Sequence, residues 1–311
     1  DFFGPEKRPE VSEMLYKSIW QKILPLGDGT IVFPAHGAGS VCGSEISDHE
    51  FSTIGYEKKT NPLLALSKEE FIQKKVTEHL YLPPYFKKME ALNQEGAPVL
   101  DRLPDLRPYP VKEIKELQGK AQILDIRSPT SFAGGHIPQS LSIWKDGIPA
   151  FAGWFLNYDA PIILVDDFNC GLVDVSRHFV RLGYDNLKGY LAGGFPAYFK
   201  SGSPIGRIEA WSVHDLAGKM KGDGIFLLDV RDIANVSRFG RIPGAHHIYI
   251  GELPGRLGEV PRDRVVAAYC DAGYKGSLAA SILAREGYTR LANILGGMTG
   301  YINAGYPVGK E

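Results

Sequence analysis

Val265-Val266-Ala267-Ala268-Tyr269-Cys270-Asp271-Ala272-Gly273-Tyr274-Lys275-Gly276-Ser277 is the stretch that decides how this chain is built. Five apolar residues in a row, ending abruptly at a cysteine, read as a buried strand. Asp271 to Ser277 is a short glycine-containing loop, and the spacing from Leu278 to Arg285 predicts a helix. A cysteine between a strand end and a helix N-terminus faces loop N–H groups and the positive end of the helix dipole, surroundings that favour a thiolate. Cys270 is therefore a candidate nucleophile. Taken alone, the loop fits an inert buried cysteine as well.

The flanking sequence separates these two cases. Upstream, Ile225-Phe226-Leu227-Leu228-Asp229-Val230-Arg231 reads as a second buried strand, followed by Gly240-Arg241-Ile242-Pro243-Gly244-Ala245-His246. Downstream stand Gly287-Tyr288, Leu295-Gly296-Gly297 and Gly300-Tyr301 to Gly305-Tyr306-Pro307. At these residues the last hundred or so positions resemble a rhodanese (sulfurtransferase) domain, with its Asp-Val-Arg strand, its Gly-His-Ile-Pro-Gly-Ala turn and its active-site cysteine loop. Two positions depart from that pattern: Arg241 replaces the histidine of the turn, and Asn235-Val236 stands where Glu-Phe is usual. Both lie away from the cysteine loop. The resemblance implies that Cys270 is the catalytic nucleophile and that Asp271, Ala272, Gly273, Tyr274 and Gly276 form the loop cradling its persulfide. Lys275 takes a place where many single-domain rhodaneses have arginine, so it implies a point charge at the site instead of a bidentate fork.

The same pattern occurs twice. Ile123-Leu124-Asp125-Ile126-Arg127 matches Leu227-Leu228-Asp229-Val230-Arg231 at an offset of 104 residues (229 − 125). Gly135-His136-Ile137-Pro138, Leu182-Gly183-Tyr184 and Gly193-Gly194 then match their later counterparts within a residue of that offset. The position equivalent to Cys270 is Asp166, so the first copy lacks the nucleophile. Cys170 lies in the same loop, but its counterpart is Tyr274, away from the strand end. A carboxylate at position 166 can accept the loop N–H groups itself, which predicts a self-satisfied loop and a first repeat used for packing and spacing.

Composition excludes several classes. The chain has 311 residues, 44% hydrophobic and 23% charged, with a formal net charge of −1, which gives no electrostatic footprint for nucleic acid or an acidic membrane surface. Apolar runs such as Pro161-Ile162-Ile163-Leu164-Val165 are far shorter than the ~20 residues of a membrane span. Residues 1–10 carry no apolar signal region, and Cys42, Cys170 and Cys270 are an odd set of three, so a reducing cytoplasm is expected. The expected partners are small-molecule sulfur donors with thiol or sulfite acceptors, and a homo-oligomer is left open.

The first hundred residues do not share the repeat. Val11 to Leu26 has helical spacing, Gly29 to Phe33 reads as a strand, and Pro34-Ala35-His36-Gly37-Ala38-Gly39 puts a histidine on a glycine loop directly after it. A capped loop histidine without a ligand accounts for His36 taken alone. With Ser52-Thr53-Ile54-Gly55-Tyr56-Glu57-Lys58-Lys59-Thr60-Asn61-Pro62, however, the segment resembles the C-terminal part of a metallo-β-lactamase-fold domain of the persulfide dioxygenase type. That family's first ligands come from His-x-His-x-Asp-His, a spacing no histidine here has, and residue 1 is Asp instead of Met. The chain therefore reads as part of a longer polypeptide whose non-haem iron would sit on residues outside it. His36 is left as a residual pocket residue.

The expected class is α/β: two tandem rhodanese-like parallel-sheet domains, residues 106–204 (inactive) and 205–311 (active), after the C-terminal portion of a metallo-β-lactamase (αββα) domain and linker at 1–105. The expected chemistry is sulfane sulfur transfer through a Cys270 persulfide. Two other classes compete. A phosphatase or arsenate reductase on the same fold needs Cys-x5-Arg, whereas the sixth residue after Cys270 is Gly276. A non-catalytic recognition module is the other, and it suits the first repeat better than the second. No metal or cofactor is expected in the chain as given. Iron content and oxygen consumption with glutathione persulfide measure this; stoichiometric tightly held iron would contradict it.

Overall fold

A computed structural model describes residues 4–35, 49–79, 81–220, 222 and 224–309. The chain divides into two compact units, 1–81 and 82–311.

In the first unit, α1 (Arg8–Ser18) packs on α3 (Lys68–Thr77), with Tyr16, Trp20 and the buried Phe71 in mutual ring contact. Between these elements, β1 (Ile31–Val32) pairs antiparallel with β2 (Ser52–Thr53), and α2 (Ile54–Thr60) follows directly. Thr53 caps α2, and the Ser67/Glu70 capping box starts α3, as a Ser followed three residues on by Glu predicts. His36 and Cys42 lie outside the described residues.

The second unit opens with α4 (Phe86–Glu95), which the sequence had grouped with the N-terminal region. Tyr85 is buried against Gly153, and Met89 and Leu92 reach Gly183, so this segment belongs to the packing of the first repeat. That repeat runs β3 (Arg107–Tyr109), α5 (Val111–Leu117), β4 (Gln122–Asp125), α6 (Pro129–Gly134), β5 (Leu141–Ser142), α7 (Ile148–Phe155), β6 (Ile162–Val165), α8 (Leu172–Arg181), β7 (Leu187–Leu191) and α9 (Gly194–Lys200). The second runs β8 (Glu209–Trp211), α10 (Val213–Lys219), β9 (Ile225–Asp229), α11 (Ile233–Phe239), β10 (His246–His247), β11 (Val265–Tyr269), α12 (Tyr274–Arg285), β12 (Leu291–Ile294) and α13 (Gly297–Asn303).

The two sheets have one topology. Their strand orders are β3-β7-β6-β4-β5 and β8-β12-β11-β9-β10, all parallel, so each strand of one repeat has a counterpart at the same place in the other. Strands buried on both faces explain the unbroken apolar runs Ile162–Val165 and Val265–Tyr269. Alternate residues of β11 serve opposite faces: Ala267 and Tyr269 join one core, Val266, Ala268 and Cys270 the other. In open parallel sheets the carboxyl ends of the central strands hold the functional loops, and β11 is the central strand here.

The second face of each sheet is not private. One continuous core contains Leu124, Ile143 and Leu164 of the first repeat together with Leu228, Ala268 and Leu278 of the second. Edge strand β5 lies on α12: the Ser142 N–H donates to Ser281 Oγ at 3.0 Å, and the Ser142 and Ser277 hydroxyls are 3.1 Å apart, all three residues buried. An edge strand leaves backbone donors without a ladder partner, and here a helix of the other repeat supplies one. Small side chains at Ser277 and Ser281 allow that approach, whereas Gly276 makes room for Asn293 and Ala268 of the second repeat's own sheet. Among the described residues no helix is long and apolar enough to cross a membrane.

Removing the Ser281 hydroxyl leaves the Ser142 N–H buried without a partner. Ser281→Ala is expected to cost about 1–3 kcal/mol in denaturant unfolding, the usual penalty for an orphaned buried donor. An unchanged midpoint and slope would show that β5 does not depend on α12.

Candidate active site

Cys270 follows the last residue of β11 and is 1% exposed. Three residues later the chain is already at the cap of α12: Gly273 has φ +96°, a conformation that favours glycine, and it turns its own N–H back onto Cys270 Sγ at 3.1 Å. Tyr274, Lys275 and Gly276 form the first turn of α12, where helix geometry leaves N–H groups without intrahelical partners. The sulfur and this first turn are separated by only a four-residue connection, and the Gly273 N–H is the donor seated on Sγ. Asp271 and Ala272 complete the loop.

The loop is held from below as well as from the helix. Met298 N donates to Cys270 O at 2.7 Å and Thr299 N to Asp271 O at 3.0 Å, so the start of α13 takes both carbonyls. Gly297 sits at φ +50° with its Cα so close to Cys270 O that any β-carbon would collide with it. This explains why Gly296-Gly297 stands where it does. Asn293 Nδ2 donates to Gly273 O at 2.9 Å from β12, and Asn293 Oδ1 is buried with no hydrogen-bond partner among the described residues. Asn293 was not singled out from sequence: a lone polar residue in Leu291–Ile294 is the signal that could have found it.

Lys275 is drawn in over the loop, with 16% of its side chain exposed. Its Nζ is 3.0 Å from Asp271 Oδ2 and 3.8 Å from Asp232 Oδ2. Burial disfavours the ammonium, but the Asp271 carboxylate, the Cys270 sulfur and Asp232 outweigh it and hold the Lys275 pKa above the ordinary lysine value. Lys275 is thus an ion-paired charge near the sulfur, its pairing with Asp271 and Asp232 being what the motif alone does not specify. Asp232, which caps α11 by accepting from Asn235 N at 2.8 Å, also escaped sequence reasoning.

Beneath the loop, Asp229 and Arg231 form a forked pair with neither side chain exposed: Nε–Oδ1 2.9 Å and Nη2–Oδ2 2.6 Å, with Nη2 also on Gly240 O. The Tyr269 hydroxyl donates to Asp229 Oδ2 at 2.7 Å, and burial together with the Asp229 charge pushes the Tyr269 pKa far up. The first repeat contributes ring contacts to the residues around the loop. Its Trp144 ring lies 4.9 Å from that of Tyr274, which is 43% exposed, and Trp154 lies edge-on to Tyr249, 5.6 Å away, beyond the end of β10.

At the equivalent place in the first repeat, Asp166 behaves as its chemistry predicts. Its Oδ1 accepts from Asn169 Nδ2 at 2.7 Å and its Oδ2 from Cys170 N at 3.2 Å, while Phe195 N takes Asp166 O at 2.7 Å. Asn169, at φ +54°, also accepts from Gly193 N and donates to Leu191 O. Cys170 is exposed and its sulfur points to Phe168 O, outside any such cradle. Among the described residues no three His, Cys, Asp or Glu side chains come together as ligands for one metal ion.

Comparison with known proteins bears on the fold that carries this site. The Rhodanese-like domain family matches residues 110–201 and 212–304. A sulfurtransferase of Allochromatium vinosum is 33% identical over 86 residues, 28% of this chain and 79% of that protein. The thiosulfate sulfurtransferase GlpE of Pseudomonas aeruginosa is 30% identical over 95 residues, 30% of this chain and 83% of its own length. A crystal structure of a metallo-beta-lactamase from Staphylococcus aureus superimposes with a TM-score of 0.52 at 30% identity, covering 58% of this chain and 50% of that one, so this chain spans half its length. With two α/β repeats in tandem and a metallo-β-lactamase neighbour, the chain is a rhodanese pair joined to a metallo-β-lactamase-fold portion, and it belongs to the rhodanese-like domain family.

Proposed function

We propose that the sulfurtransferase-type function supported by the family runs through a persulfide on Cys270. The observation that carries this is the Gly273 N–H on Cys270 Sγ at the head of α12, because donors fixed before reaction stabilise a thiolate and the charge of a bound outer sulfur without reorganising. In the first step the Cys270 thiolate attacks the outer sulfur of a donor R–S–SH. A new S–S bond forms at Cys270, the donor's S–S bond breaks, and R–S⁻ leaves with the electron pair. In the second step a thiolate, sulfite or cyanide attacks the outer sulfur, and Cys270 leaves as thiolate. No external oxidant or reductant enters, since the sulfane sulfur passes intact between nucleophiles.

The form of the loop favours sulfur over phosphate. α12 starts at Tyr274, four residues after Cys270, and the position of the phosphatase arginine is Gly276. A tight loop of this kind suits one added sulfur better than a tetrahedral oxyanion. Recognition without chemistry is the better account of the first repeat alone, where Asp166 fills the cradle that a sulfur would occupy. In a fusion with a persulfide dioxygenase-like domain, the Cys270 site would exchange sulfur with the persulfide or sulfite of that reaction. His36 and an iron site would belong to that other activity, and the transfer at Cys270 does not draw on them.

Intact mass after incubation with thiosulfate or a low-molecular-weight persulfide is expected to rise by one sulfur, lost again on adding cyanide. Cys270→Ser should abolish both the gain and the turnover, whereas Cys170→Ser and Cys42→Ser should leave them nearly unchanged. Turnover retained in Cys270→Ser would overturn the assignment.

A further inference from the structure

The two repeats differ in one contact that their shared fold would otherwise make identical. In the first, Arg127 forks onto Asp125 through Nε and Nη2, and its remaining nitrogen, Nη1, reaches Asp167 Oδ1 at 3.4 Å. In the second, Arg231 makes the same fork onto Asp229, but its Nη1 is buried with no hydrogen-bond partner among the described residues. The residue equivalent to Asp167 is Asp271, one past the strand-end position in each repeat (Asp166 and Cys270). Asp271 has turned the other way, onto Lys275 at 3.0 Å. The first repeat has Gly171 at the position of Lys275, so no ammonium arises from that position; Lys145, whose Nζ approaches Gly171, donates to Cys170 O at 2.7 Å.

A fully buried guanidinium N–H left without an acceptor is costly, and a carboxylate able to fill that vacancy stands in the adjoining loop. We propose that Asp271 is a positioning residue with two seats, Lys275 when Cys270 is bare and Arg231 Nη1 when Cys270 carries sulfur, and that its move releases Lys275 to the outer sulfur. This rests on the sulfur-transfer role of Cys270. An outer sulfur on Cys270 extends the negative charge toward the Lys275 ammonium, which then competes with Asp271 for it. Arg231 compensates Asp271 for the partner it gives up. When the acceptor removes the sulfur, Asp271 returns to Lys275, so that the cation does not hold the departing charge.

The neighbouring charges leave this exchange as the available one. Asp229 is committed to Arg231 and to the Tyr269 hydroxyl. Asp232, from the cap of α11, stays 3.8 Å from Lys275 and is occupied by Asn235 N and Nδ2. His247 Nε2 lies 2.7 Å from the Arg231 backbone carbonyl oxygen and is engaged there. The Lys275 pKa, held up by Asp271 and by the Cys270 sulfur against burial, shows the lysine answering to both.

The test uses the full chain with Cys42 and Cys170 replaced by serine, so that iodoacetamide reports Cys270 alone. Asp271→Asn, by leaving Lys275 to the sulfur, is expected to speed alkylation at pH 7 by about three- to tenfold, and Lys275→Gln to slow it by a similar factor. In the Lys275→Gln background, Asp271→Asn should then have little effect, because the aspartate acts through the lysine. With thiosulfate as donor, Asp271→Asn should lower the donor KM and lower kcat by about threefold or more, since sulfur loads well but leaves slowly. An equal acceleration of alkylation in both backgrounds, or a raised KM, would overturn the exchange. So would a crystal structure of the sulfur-loaded protein with Asp271 still on Lys275; the expected one places its carboxylate on Arg231 Nη1. If wild type itself gains no sulfur by mass, the transferase role fails instead, and the alkylation cycle still measures the Asp271–Lys275 coupling.

Discussion

The buried fork between Asp229 and Arg231 is the constraint on which the rest of the second repeat depends. It sits at the end of β9, beside the strand that carries the cysteine, and ties three segments together: β9 itself, Gly240 after α11 through Nη2, and β11 through the Tyr269 hydroxyl. Removing two charges from water is expensive, and a buried pair is a poor source of net stability compared with apolar side chains of the same volume. What it supplies is geometry. Taking away either partner would strand the other charge, a loss of about 3–5 kcal/mol, so the turn after β9 has one satisfactory arrangement. The same fork recurs in Asp125 and Arg127, where no cysteine follows. It is therefore a property of the fold, present before any chemistry is added.

Upon that common frame the two loops diverge through a few side chains. In one, a carboxylate and an asparagine satisfy the local donors, and the space is closed by the protein's own groups. In the other, a sulfur with one fixed N–H bond stands at the start of a helix twelve residues long, leaving further donors in the first turn. The difference is between a loop that ends its own hydrogen bonding and one that keeps capacity for an added atom. Both are pinned from behind by the amide after a Gly-Gly pair, Phe195 N or Met298 N, which makes the pinning a scaffold feature and the occupant a separate choice.

Much of this was legible in the sequence because it depends on local pattern. The apolar run into Cys270, the glycine at the turn and the 104-residue repeat each have a direct structural consequence, and the repeat located Asp166 without any coordinates. Three things were not legible. That Lys275 is paired with Asp271 and Asp232 is a matter of rotamers and of the β9–α11 turn, which no spacing encodes. The part played by Asn293 needs β12 to lie beside β11 in register, a tertiary fact. Residues 82–105 looked like a continuation of the N-terminal region, since an amphipathic helix does not declare which surface it will cover; Tyr85, Met89 and Leu92 settle that only by contact.

The relation between the repeats was also hidden, and it alters what the copy without the strand-end cysteine is for. Two tandem domains joined by a linker would each be expected to close their own core, with the first acting as a spacer. Here one apolar cluster runs through both, β5 of the first borrows a hydrogen bond from α12 of the second, and Trp144 stands against Tyr274 at the start of α12. The helix that follows Cys270 is thus held by the copy that has aspartate at the equivalent position. Such an arrangement explains how the first repeat can have Asp166 in place of the cysteine while its fold is retained: its sheet edge and its tryptophans have structural contacts that do not depend on residue 166. Absence of the strand-end cysteine in one copy and dependence of the other copy upon it are compatible because they involve different surfaces of the same domain.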